Sequence, residues 1–232
     1  MVVRTSVVLC LLLVMGAGAV GCAATTAALP GPPIPIPAHR PVAPAKPYHP
    51  DSPAEPQKRP VAVPYSASGR YAVVPGRAAP RAGHGTVVRY LVEVERGLPF
   101  DGREFAARVH RTLNDPRGWA RFQRVDHPPV RLSVALSSPR LTNRECLPLH
   151  TGGDLSCWNG ARSVINAVRW AQGVPQYHGD LDHYRDYLIS HEVGHGLGHE
   201  HAVCPGHGRR APVMVQQSKS LGGCRPNPWP HP

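Results

Sequence analysis

Between residues 191 and 201 the chain reads His-Glu-Val-Gly-His-Gly-Leu-Gly-His-Glu-His, and no other stretch restricts the fold so tightly. Histidines four residues apart lie one turn from each other on a single helix face. His191 and His195 therefore reach a common metal ion if this segment is helical. Gly198 predicts a helix end in a left-handed conformation that turns the chain back. His201 then arrives as a third ligand, which leaves the fourth position of a tetrahedral zinc site open to water. Glu192, beside the first ligand, stands where it polarises that water without ligating the ion. The competing reading is a His-rich surface helix that holds nothing.

The tail narrows the choice of third ligand. After Glu200 the sequence contains no Asp or Glu, so the later candidates are His201, His207 and His231. His201 has the motif spacing, and His207 replaces it only if the turn takes another course. His199 and Glu200 read as solvated or supporting groups. The chemistry expected is amide hydrolysis with one zinc per chain, a zinc-activated water and Glu192 as general base.

The rest of the chain divides by composition. Met1–Gly21 has Arg4, an uncharged apolar run Val7–Val20 and small residues ahead of Cys22, the pattern of an export signal. Ala19-Val20-Gly21-Cys22 resembles a lipoprotein box, with Cys22 as the lipidated residue; ordinary cleavage and free secretion is the alternative, an uncleaved anchor a third. Residues 1–22 are thus the predicted signal. Of 28 prolines, 15 fall between Pro30 and Pro80, so residues 23–80 are expected to be a disordered, extended spacer. That leaves 152 residues, 81–232, enough for one domain with its own core.

Four cysteines lie in that domain, and an exported setting predicts two disulfides. Three pairings are formally open. The local one, Cys146–Cys157 and Cys204–Cys224, is expected here because it closes two modest loops. A second zinc on these cysteines is disfavoured by the lack of any Cys-x-x-Cys spacing. The domain carries a net charge of about +6 by its Arg, Lys, Asp and Glu content, which attracts anionic envelope polymers or lipids. Its basic residues are scattered and its aromatics few, so nucleic acid is not an expected partner. A monomer is expected, with contact to a membrane through the lipid anchor only.

Hydrophobic patterning predicts strands over 86–94, 119–125, 130–136 and 163–170, and a helix over 103–113 stopped by Asn114-Asp115-Pro116. Asp180 or Asp182 is expected to cap the helix that carries Tyr184, Leu188, His191 and His195. Together these give an α+β class, a twisted mixed sheet with helices packed on it and a long metal-binding helix at the active site. Strand 163–170 is expected at the sheet edge bordering the cleft, where a peptide can add as a further strand. Trp119, Trp158, Trp170 and Trp229 read as packing residues before they read as a polymer platform.

The motif His-Glu-x-x-His-x-x-Gly-x-x-His followed by a methionine in a tight turn resembles the metzincin zinc peptidases. Ala211-Pro212-Val213-Met214-Val215 supplies that turn, 13 residues past His201. The resemblance implies that Met214 forms an apolar floor beneath the zinc without binding it. Some metzincins place a tyrosine two residues further on; Gln216 stands there. The wider pattern resembles an actinobacterial family of exported metzincin-like domains of unknown function. It includes Asp115-Pro116-Arg117-Gly118-Trp119, Asn166 to Trp170, Leu221-Gly222-Gly223-Cys224 and Asn227-Pro228-Trp229-Pro230. The implied activity is that of an exported zinc endopeptidase on a peptide or protein substrate, with an envelope protein among the candidates. The rival expectations are an inactive, zinc-stabilised envelope binding module and a cell-wall amidase.

Overall fold

The computed structural model describes residues 61–232. The signal 1–22, the lipidation site Cys22 and the greater part of the spacer lie outside the described residues. Six strands form one open mixed sheet: β1 (Tyr71–Val73), β2 (Val87–Glu95), β3 (Arg121–Arg124), β4 (Leu132–Ser137), β5 (Cys157–Trp158) and β6 (Arg162–Asn166). The order is β1-β2-β4-β6-β5, with β3 also paired to β2. β2, β4 and β6 run parallel, β3 runs parallel to β2, and β1 and β5 are antiparallel additions. Every residue of β4 is buried, as a strand near the middle of a covered sheet requires.

Helix α1 (Gly102–Leu113) begins where the Asp101 carboxylate accepts from the Arg103 and Glu104 N–H groups. It buries Phe105, Ala106, Val109, Thr112 and Leu113. Two short helices were not anticipated. Ser138 caps α2 (Pro139–Glu145), whose first residue is a proline, a favoured helix-start pair. Asn166 ends β6 and caps α3 (Ala167–Gln172) by accepting from the Val168 N–H at 2.9 Å. The strand expected over 163–170 is therefore only half strand. Its β-branched start is real, but the asparagine offers the backbone a helical partner and the chain takes it.

That correction moves the sheet edge. β6 pairs with β4 on one side and with β5 on the other, so it is not an edge strand. The edge position belongs to β5, through Cys157↔Val164 and Trp158↔Ser163. The start of the folded body also moves. Residues 61–80, assigned to the spacer from their prolines, include β1, and Ala78 bridges Arg124. The buried Glu95 carboxylate fixes this leading segment by accepting from the Gly69 N–H at 2.8 Å and the Ser138 N–H at 2.7 Å.

Helix α4 (Leu181–Gly196) is capped by Asp180, which accepts from the His183 N–H at 3.0 Å. It packs on β6 and against α1, where Arg108 pairs with Asp182 and Asp186. These carboxylates thus serve as a cap and as ion-pair partners. The core under α4 contains Tyr184, Leu188, Ile189 and Val193 with Leu132, Val134 and Ile165 from the sheet. Ten of its sixteen residues are buried, so it is an interior helix and not an amphipathic surface one. After it the chain runs to Pro232 without another helix or named strand.

The cysteines pair as expected, Cys146 with Cys157 and Cys204 with Cys224. Two such bonds indicate an oxidising, extracytoplasmic environment. Among the described residues no helix is long and apolar enough to cross a membrane.

Candidate metal centre

The end of α4 builds the site. Leu197 is its cap, the Gly198 N–H bonds to the His195 carbonyl at 2.9 Å, and the His199 N–H reaches back to the Gly194 carbonyl at 3.0 Å. This is a Schellman arrangement, and Gly198 adopts the positive φ of +96° that it demands. The turn carries His201 back toward the helix. The His195 and His201 Nε2 atoms lie 3.1 Å apart, and ligand atoms of His191, His195 and His201 all fall within 4.8 Å of one another. Among the described residues this is the one group of three or more His, Cys, Asp or Glu side chains close enough to hold a metal ion. His207, the alternative third ligand, instead lies against Gly223.

Two of the rings are oriented by main-chain carbonyls. His191 Nδ1 donates to the Val213 carbonyl at 2.9 Å, and His195 Nδ1 donates to the His199 carbonyl at 2.8 Å. A carbonyl oxygen only accepts, so each Nδ1 carries the proton and each Nε2 keeps its lone pair. Two nitrogens bound to one tetrahedral zinc lie roughly 3.4 Å apart, from bond lengths of about 2.0–2.1 Å. The 3.1 Å between His195 and His201 is close to that. The three imidazoles fit a single metal ion.

Burial sets the electrostatics. It holds His191 down at about 3, ahead of smaller opposing and reinforcing effects from the Val213 carbonyl and the other two histidines. His201 is also lowered, by partial burial first and then by His195 and Lys219. Both shifts favour neutral imidazole, the ligating form. Glu192 is 5 % exposed, and burial pushes its carboxyl up to about 8. Its backbone carbonyl accepts from Ser163 Oγ of β6 at 3.0 Å, which pins this turn of α4 to the sheet.

Met214 lies under the helix, 5 % exposed and part of the main core. The contact needs Gly194, since a Cβ there would stand 2.6 Å from Met214 Sδ and 3.1 Å from the Trp119 ring. Trp119 donates to the Ser190 carbonyl at 2.8 Å and stacks on His199 at 4.0 Å. Gly196 gives similar room to Trp158 and Leu132. The motif's freely written positions are thus closely packed.

The strip that holds His201 and Met214 is fastened by side chains that sequence reasoning missed. The Ala202 N–H bonds to the Met214 carbonyl at 3.0 Å. Tyr187 of α4, whose ring lies beside His191, donates to the Val215 carbonyl and accepts from the Gln217 N–H. Gln217 is fully buried: its oxygen accepts from Tyr177 and from the Asn227 N–H, and its amide donates to the Asn227 carbonyl. Asn227 in turn donates to the Ala211 and Trp229 carbonyls. Glutamine and asparagine in a loop carry no periodicity, so the one signal available was the Asn227-Pro228-Trp229-Pro230 pattern.

A cleft of about 430 Å³ opens over the histidines. Leu155, Trp158, Glu192, Gln216 and Lys219 are among the residues that line it. Of the four tryptophans only Trp158 faces it. Trp170 packs on Phe105, and Trp229 lies under the Arg117 guanidinium.

Fold and site together define an extracytoplasmic α+β protein with a mixed open sheet and a three-histidine centre at the end of α4, the longest helix among the described residues. Residues 59–223 match a family described as a protein of unknown function (DUF3152), and the chain belongs to that family. No curated protein matches the chain, and neither does any solved structure.

Proposed function

We propose that the histidine centre is the active site of an exported zinc metallopeptidase of metzincin type. The observation that carries this reading is the convergence of His191, His195 and His201 at the base of an open cleft, with the Glu192 carboxyl beside them. A fully structural zinc site is closed by four protein ligands, and among the described residues three protein side chains converge here. When bound, zinc supplies a Lewis acid that acidifies water and polarises a carbonyl.

The remaining work falls to the chain. His191 and His195 are held by their carbonyl partners as neutral ligands. Glu192, which burial holds protonated, would be kept in its charged form once the three histidines hold a divalent cation. Glu192 then takes a proton from the attacking water and delivers it to the amine nitrogen as the C–N bond breaks. Met214 and Trp119 keep the underside of the centre dry and rigid. The free edge of β5 borders the cleft and offers main-chain hydrogen bonds to an extended substrate. Export by the leader and acylation of Cys22 complete the reading.

The test is metal analysis of the purified protein with a mixed peptide digest, run with and without chelator. One zinc per chain and chelator-sensitive cleavage are expected. Glu192→Gln should retain zinc and lower hydrolysis by about 10²–10⁴-fold. Full activity in that variant would overturn the role of Glu192. Stoichiometric zinc with no cleavage of any peptide would make this a zinc-stabilised binding module instead.

A further inference from the structure

Two segments of different chemistry line the cleft beside the histidine centre. One is the loop closed by Cys146–Cys157, where Leu149 and Leu155 present apolar side chains next to Trp158. Leu149 is half exposed. The other is the turn Gln216–Lys219.

Lys219 is the single lysine among the described residues, in a body whose other fixed cations are arginines. Its backbone is anchored at both ends: its N–H bonds to the Gln216 carbonyl at 2.9 Å, and its carbonyl accepts from the Gln176 amide at 3.0 Å. The ammonium head is not anchored. It has three N–H donors, and its one protein partner is the Gln216 amide oxygen at 3.5 Å, the outer limit of a hydrogen bond. Among the described residues no carboxylate pairs with it. Glu200, the other exposed charge on the cleft, belongs to the turn that delivers His201 and leaves Lys219 alone. A fixed backbone with a free cationic head facing a reaction centre is the arrangement of a recognition group.

We infer that Lys219 selects the substrate: the cleft takes peptides that present a carboxylate to the Gln216–Lys219 wall and an apolar side chain to the Leu149–Leu155 wall. This deepens the peptidase reading and rests on it for the statement that the ligand is a peptide. The carboxylate has two sources, an Asp or Glu side chain and a free chain end, and both satisfy the same ammonium.

The probes are labelled apolar hexapeptides that differ only in carrying Glu or Gln at each position, each with a free or amidated end. Binding is read by fluorescence anisotropy on the zinc-loaded Glu192→Gln protein, so the result does not depend on hydrolysis. The peptide of each pair that carries the carboxylate, Glu over Gln or free over amidated end, should bind roughly 1.5- to fivefold more tightly, the range of an exposed ion pair. The gap should close as salt is raised. Lys219→Gln should abolish the difference, and Lys219→Glu should transfer preference to Lys-containing peptides. Tighter binding of free-ended than of amidated peptides, with Glu and Gln alike, identifies the chain terminus as the source, and a Glu-over-Gln preference that survives amidation identifies the side chain. Equal binding of all four forms, Glu or Gln and free or amidated, or binding of none of them, overturns the inference. Cleavage by the native enzyme without acidic bias would do so while leaving the peptidase reading intact, whereas acid-selective binding without cleavage would remove the peptidase reading alone.

Discussion

His191 and His195 stand on a sixteen-residue helix tied by its own backbone and by the core, whereas His201 and Met214 belong to a strip of 36 residues with no helix of its own. The helix arm is positioned by apolar burial between sheet and α1. The strip is positioned by buried amides, phenols and one disulfide. Apolar packing tolerates small changes because many contacts share the load. A buried amide network does not, because removing one member strands the polar groups it served. The same site therefore has one forgiving half and one brittle half.

The largest effect is expected on the brittle side. Gln217→Leu leaves the Asn227 N–H and carbonyl and the Tyr177 hydroxyl without their partner. Urea unfolding of the oxidised protein should show a loss of roughly 3–5 kcal/mol, at about 1–3 kcal/mol for each stranded group. A loss below about 1 kcal/mol would mean that the strip is held by something other than this network.

Next comes a matched pair of cross-link removals. The two disulfides span separations of 11 and 20 residues, so chain entropy assigns each about 3 kcal/mol. They differ in what they support. Replacing Cys204 and Cys224 with serine should weaken zinc binding as well as stability, because that bond staples the chain just after His201. Replacing Cys146 and Cys157 should cost similar stability and leave zinc affinity near native. Equal zinc affinities in a competitive chelator titration would erase the distinction.

The smallest effect tests where the halves touch. Gly194→Ala would stabilise an ordinary helix by about 1 kcal/mol. Here the added methyl meets Met214 Sδ and Trp119, so a net loss of about 1–2 kcal/mol is expected by thermal unfolding. A gain would show that Met214 swings aside freely.

The helix arm was legible in the sequence and most of the strip was not, for the same physical reason. His191, His195 and Gly198 lie within a few residues of each other, where helical periodicity and glycine's backbone freedom translate directly into geometry. α1 was read for that reason too. His201 and both cysteine pairs were reached through spacing, and Met214 through the resemblance of its turn. The polar fastenings Tyr187, Gln217 and Asn227 join residues 10 to 40 apart through side-chain amides and phenols that no local pattern announces. The proline-rich segment failed in the opposite direction. Pro64, Pro75 and Pro80 read as spacer, yet this stretch folds on β2 and β3 because Glu95 and Arg124 reach out to receive its backbone. Asn166 misled the fourth strand because capping is a one-residue signal within a β-rich run.

The bond from His195 Nδ1 to the His199 carbonyl makes the turn after α4 a ruler as well as a connector. The same few residues set the tilt of one imidazole and the arrival point of another, so the two cannot be tuned separately. Inserting or deleting one residue between Gly198 and His201 rotates the first ring and misplaces the second at once. Length in this loop is under tighter restraint than composition. A designer seeking to alter the centre has far more freedom in the side chains of Leu197 and Glu200 than in the number of residues that separate them.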